Sequence, residues 1–130
     1  MILVDTHVVV WLAFDASRLS AAARAAVNKA REDEDGLAVS DITLLELTTL
    51  ADKGCLHLEL SLESFLREIE TRFVVLPITS RTCLHALALP ATFPRDPADR
   101  VIAGTALAEG LPLLTADREI RRAKVLRTIW

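Results

Sequence analysis

The chain has 130 residues, 52% of them hydrophobic and 25% charged, and its 15 Lys and Arg against 18 Asp and Glu leave a net charge of −3. That length gives room for one domain, read as residues 1–130, with a core that needs no staples, and the composition excludes a disordered or fibrous chain. The acidic balance excludes a protein that grips nucleic acid with its whole surface, and two cysteines, Cys55 and Cys83, are too few for a disulfide framework and suit a reducing cytoplasm.

Met1 to Phe14 is apolar, but Asp5 and His7 interrupt it and it has no basic start and no small-residue cleavage site. It is also shorter than the roughly 20 residues that span a bilayer. The reading is a cytoplasmic protein with no membrane partner. With 5% aromatic residues and no Tyr, a base-stacking platform is not expected.

In chain order, Ile2-Leu3-Val4 reads as a buried strand and Thr6 to Phe14 as a short helix. Ser20 is a candidate cap for an alanine-rich helix over Ala21–Glu32, and the acidic run to Gly36 turns the chain. Leu37 to Ser40 is a second strand. Ile42 to Lys53 is a helix capped by Ser40 or Asp41 and stopped by Gly54. Ser61 caps Leu62 to Arg72, and Phe73 to Leu76 is a third strand. Thr79 starts a helix that ends at Pro90. Asp96 before Pro97 is a helix-start signal for Pro97 to Glu109, which Gly110 ends. Leu111 to Thr115 is a fourth strand, Asp117 caps a short basic helix, and Val125 to Trp130 supplies a last strand. Strands separated by helices predict a mainly parallel central sheet between two helical layers, a three-layer α/β/α sandwich.

Open α/β sheets bind ligands beyond the carboxyl ends of their strands. Asp5 closes the first strand, Asp117 follows the fourth, and Asp99 lies in the first turn of the helix that starts at Pro97. Glu46 sits mid-helix, with Ile42, Thr43, Thr49 and Leu50 as its helical neighbours and no Lys or Arg within a turn. A carboxylate on an apolar stripe needs a partner, and a cation from outside the chain resolves that conflict. Each acid also has a plainer reading. Asp5, Asp96 and Asp117 fit as helix caps, Asp99 as a dipole partner, and Glu46 as a side chain snorkelling to water. Oxygen-only ligands suit Mg²⁺ or Mn²⁺, and such a metal activates water against a phosphodiester.

The opening Asp5-Thr6-His7, Glu46 in a Leu-rich helix, the stretch from Arg95-Asp96-Pro97-Ala98-Asp99-Arg100 to Ala103, and Leu113-Leu114-Thr115-Ala116-Asp117 together resemble the PIN domain, most closely the VapC-type toxins of bacterial toxin–antitoxin pairs. The likeness runs over nearly the whole chain to Trp130. It implies a PIN-like fold and a Mg²⁺-dependent endoribonuclease with an RNA substrate, held inactive by a VapB-type antitoxin, and a homodimer. Matched position by position, Asp5 and Asp99 fall on the principal metal-binding aspartates, Glu46 on the helix glutamate and Asp117 on the fourth acid. Asp96 falls on an extra acid that caps or assists the metal, and Thr6 and Thr115 fall on hydroxyl positions that order the site. Two departures concern the helix that carries Glu46: Leu45 stands where many similar chains have Trp, and Asp41 adds a charge where small residues are common.

Other features carry less. Cys55-Leu56-His57 and Cys83-Leu84-His85 repeat a spacing, but it is wrong for zinc, and ordinary buried Cys with surface His is the expectation. His7 packs or caps locally in the plainer reading and reaches the site in the other. Gly104-Thr105-Ala106 lets a helix pack on the sheet, and no Gly-rich phosphate loop is present. Arg118, Arg121, Arg122, Lys124 and Arg127 form either a solvated face or a rim for RNA phosphates, with Arg118, Arg121 and Arg122 as the contact candidates. The rival to an enzyme is a non-catalytic PIN-like module that binds an antitoxin or RNA.

Overall fold

A computed structural model describes residues 1–130. Its strands are β1 (Ile2–Val4), β2 (Leu37–Ser40), β3 (Val74–Leu76), β4 (Leu113–Leu114) and β5 (Thr128–Ile129). Its helices are α1 (Thr6–Phe14), α2 (Ala21–Glu32), α3 (Asp41–Asp52), α4 (Leu62–Arg72), α5 (Ser80–Leu87), α6 (Pro97–Glu109) and α7 (Arg118–Ala123). The sheet is five-stranded in the order β3-β2-β1-β4-β5, and every neighbouring pair is parallel. The predicted α/β class and layering hold.

Strand side chains alternate between faces, and here they feed two cores. Val4, Leu37, Val39 and Leu114 pack with Val8, Val27, Leu47, Phe65 and Ile69 of α1 to α4. Leu3, Ala38 and Leu113 pack with Phe93, Ile102, Ala103 and Ala106, and with Ile120 of α7. Helices therefore cover both faces, as a parallel sheet requires.

The predicted caps form. The side chains of Ser20, Ser40, Ser61 and Thr79 accept from backbone N–H groups of α2, α3, α4 and α5, which settles Ser40 rather than Asp41 as the cap of α3. Asp41 instead accepts from Ile78 N at 3.1 Å and so ties α3 to the loop after β3. Leu45 is exposed, so the change from Trp falls on the surface. β4 and β5 are shorter than predicted because only two residues of each pair in the ladder. Gly104 faces α5 rather than the sheet: a Cβ there would lie 2.6 Å from Thr82 O.

Candidate functional site

Strand order reverses at β1, since the chain builds outward to β2 and β3 and then returns to place β4 on the other side. Such a switch point opens a crevice at the strands' carboxyl ends. Asp5 leaves β1 there, and Thr115, Ala116 and Asp117 leave β4. Three aspartates cap helices at this edge. Asp5 Oδ1 accepts from Thr6 N at 2.9 Å. Asp96 Oδ1 accepts from Ala98 N at 2.8 Å and Asp99 N at 3.3 Å. Asp117 Oδ1 accepts from Glu119 N at 2.9 Å and Ile120 N at 3.1 Å. The positive ends of α1, α6 and α7 thus face the acids and offset part of their repulsion.

Hydroxyls tie the acids together. Thr115 Oγ1 accepts from Asp117 N at 3.1 Å and donates to Asp5 Oδ2 at 2.7 Å. Thr6 Oγ1 donates to Glu46 Oε1 at 2.5 Å. With that proton committed, Thr43 Oγ1 is the donor in its 3.0 Å contact with Thr6 Oγ1. Asp5, Thr6, Thr43 and Thr115 are buried, so each bond acts in a low dielectric. His7 Nε2 accepts from Ala116 N at 3.2 Å. Its proton therefore sits on Nδ1, which faces Asp5 Oδ2 at 3.4 Å.

Asp5, Thr6, Glu46 and Asp99 line one cleft of about 270 Å³, with His7, Val10, Trp11, Leu50, Cys55 and Leu56. Asp96 and Asp117 flank it and act on it through charge. Burial, then the charges of Asp5, Asp96, Asp117 and Glu46, push the Asp99 carboxyl up to about 7. Burial also raises Glu46, against a lowering by its Thr6 hydrogen bond and with the charges of Asp5 and Asp96 adding to the rise. None of the five acids pairs with a Lys or Arg; the one nitrogen base beside them is the neutral His7 ring, whose Nδ1 faces Asp5.

This donor set fits a hard divalent cation: it is all oxygen, it is negative, and nothing else in the chain neutralises it. No three Asp, Glu, His or Cys side chains close around a common point. One or two of these carboxylates, with water, would supply such a cation's shell, which is the usual way Mg²⁺ is held.

Residues that the sequence left out also stand at the site. Thr43 lies one turn before Glu46 on the same face of α3, and Trp11 one turn after His7 on α1, which is the spacing that could have found them. Cys55 and Cys83 are exposed rather than buried. Arg118, Arg121 and Arg122 sit beyond the Asp117 cap and, with Lys124, line a hollow of about 370 Å³. No helix is long and apolar enough to cross a membrane.

An acidic crevice at the switch point of a five-stranded parallel sheet defines the class, and the sequence agrees: the chain belongs to the PIN domain family, whose profile matches residues 2–126. Ribonuclease VapC22 of Mycobacterium tuberculosis is 37% identical over 131 residues, covering 99% of this chain and 98% of that protein. Among solved structures, VapBC from Salmonella typhimurium bound to DNA shares 26% identity at a TM-score of 0.69, covering 98% of this chain and 97% of its own. VapBC2 from Rickettsia felis, bound to a DNA fragment from its promoter, shares the fold at a TM-score of 0.73 and 20% identity, again over 98% and 97%.

Proposed function

We propose that the chain is a metal-dependent endoribonuclease that hydrolyses RNA phosphodiester bonds, the toxin of a type II toxin–antitoxin pair acting in the cytoplasm. The observation that carries this reading is the cluster of Asp5, Glu46, Asp96, Asp99 and Asp117 without a Lys or Arg partner. Burial first, and then these like charges, push Asp99 up to about 7, whereas a cation in an ion-pair network would pull it down. Ribonuclease VapC22, a relative over the whole chain, supports the activity.

Asp5 and Asp99 would hold Mg²⁺ or Mn²⁺, with Asp117 and Asp96 beside them. When bound, such a cation lowers the pKa of coordinated water and neutralises charge on the phosphodiester. The chain's own residues orient that chemistry. Thr115 and the Thr6 N–H fix the two oxygens of Asp5, and His7 holds the β4 end against it. Glu46, steadied at Oε1 by Thr6, keeps Oε2 for the proton of an attacking water, and burial raises its affinity for that proton. Arg118, Arg121 and Arg122 contact RNA phosphates beside the acids, fixing position rather than sequence. A VapB-type antitoxin is the partner; the solved relatives are themselves VapBC complexes.

Glu46→Gln tests the reading, since it removes one like charge and keeps the shape. RNA cleavage in Mg²⁺ is expected to fall by about 10²-fold or more, while the metal-free protein melts at the same temperature or slightly higher. A cleavage time course beside metal-free melting curves checks both. Wild-type cleavage would take Glu46 out of the site, and a large loss of stability would make it a structural partner instead.

A further inference from the structure

The cleft that gathers the carboxylates has a second half with no charge in it. Beside Asp5, Glu46 and Asp99, half of its lining residues are apolar, among them Val10, Trp11, Leu50 and Leu56. The Trp11 ring is braced from three sides. The His7 ring meets it edge-on at 5.0 Å, Trp130 tilts against it at 5.6 Å, and the Arg18 guanidinium lies 4.4 Å from its centroid. What remains of the ring surface lines the cleft. His7 in turn stands 3.4 Å from Asp5 Oδ2, so a single side chain separates the indole from the acids.

We propose that this apolar half is a nucleobase subsite, in which Trp11 receives one unpaired base of the nucleotide next to the scissile phosphate. The proposal rests on the ribonuclease reading. Charge assigns the two halves: a phosphate and its cation belong with the carboxylates, and a neutral aromatic base belongs with Trp11, Val10, Leu50 and Leu56. Size restricts the occupant. About 270 Å³ for the whole cleft lies just below the roughly 300–1,000 Å³ of a drug-sized pocket, which suits an occupant of about one nucleotide. Bracing matters because a ring already held loses little freedom when a base docks. An acidic site repels RNA, and stacking supplies attraction that does not depend on charge. A base held this way must be out of its helix, which directs cutting to single-stranded or bulged segments. Trp11 is therefore a binding and positioning residue.

The chain has two tryptophans, so Trp130→Phe keeps a ring against Trp11 and leaves it as the sole indole reporter. Titrating this variant in EDTA with a short single-stranded RNA is expected to quench Trp11 emission to saturation. The same oligomer with its central nucleotides abasic is expected to bind about tenfold more weakly, within the range of one stacked base. In Mg²⁺, Trp11→Leu is expected to raise KM for RNA about tenfold with kcat little changed, and Trp11→Phe to restore most of the loss. Melting curves of both variants show whether the fold is intact. Oligomer binding with no change in Trp11 emission, or equal binding of the abasic oligomer, would overturn the subsite. Quenching by an apolar peptide but not by RNA would also overturn it and give this wall to a protein partner. If the wild-type chain cuts no RNA while Trp11 still reports bases and not abasic sites, the ribonuclease reading falls and the subsite stands.

Discussion

Asp99 is half-buried among acids, and burial first, then Asp5, Asp96, Asp117 and Glu46, carry its carboxyl from 3.8 to about 7. The unfolded chain releases this proton near 3.8 and the folded chain keeps it to about 7, so the folded state binds more protons in between. Stability from this group is therefore full below about 4 and is lost as pH rises to about 7; Glu46 acts in the same direction from 4.5. The metal-free protein is expected to melt at a lower temperature at about pH 8 than at about pH 5.5, and Asp99→Asn to flatten that slope. Mg²⁺ is expected to flatten it too, by favouring the ionised form. Melting in EDTA across this range checks the sign, and a rise with pH would contradict it. These acids were legible in the sequence because a carboxylate at a strand end, or on an apolar helix stripe, is costly unless something answers it. The residues that order them were legible only in part: the family resemblance pointed to Thr6 and Thr115, but not to the partners they take. His7 takes its N–H from Ala116, 109 residues away, and Thr6 meets Thr43 across 37; no local pattern encodes such pairs.

Helices and turns followed from local chemistry, since Ser20, Ser61, Asp96 with Pro97, and Gly110 each act within one turn of chain. Strand ends were less legible, because a ladder ends where its neighbour does: β4 and β5 stop at two residues each although the apolar runs are longer. Asp96 shows how one residue serves two levels. Its Oδ1 caps α6, while its charge helps raise Asp99. Asp96→Asn keeps the cap and removes the charge, so stability is expected to hold; Asp96→Ala loses both and is expected to cost about 1 kcal/mol. Chemical denaturation of the pair measures this. Calorimetry on the Asn variant then separates cap from ligand, because unchanged Mg²⁺ affinity leaves Asp96 as a cap only. The α5–α6 crossing sets a second test. Gly104 has no Cβ, and one would meet Thr82 O at 2.6 Å and Ala86 at 3.1 Å. That backbone cannot turn aside, so Gly104→Val is expected to cost about 1–3 kcal/mol through overpacking. A urea midpoint equal to wild type would show that the two helices separate freely.

At the scale of the molecule, the sheet's switch point turns sequence distance into proximity. Asp5 and Thr115 are 110 residues apart and share a 2.7 Å hydrogen bond. The same winding leaves one helix face bare. α5 turns Thr82 and Ala86 toward α6, as the approach to Gly104 shows, so Leu84 and Leu87 project on its far side, 66% and 82% exposed. Two leucines one turn apart on an outer face make an apolar strip that water covers poorly. Burying a leucine is worth about 1.5–3 kcal/mol, and a two-fold axis counts each contact twice. Self-association through α5 is the expected outcome, which is the homodimer that the sequence resemblance implies. Sedimentation across concentrations around the micromolar range, where association is worth about 8 kcal/mol, is expected to show a monomer–dimer equilibrium. Leu87→Glu places two like charges at the axis and is expected to weaken it at least tenfold. Because Leu87 contributes little to the fold of one chain, the melting temperature at low protein concentration is expected to stay within a degree or two of wild type. A wild-type monomer throughout would reject the dimer, and a dimer untouched by Leu87→Glu would move the interface to another face.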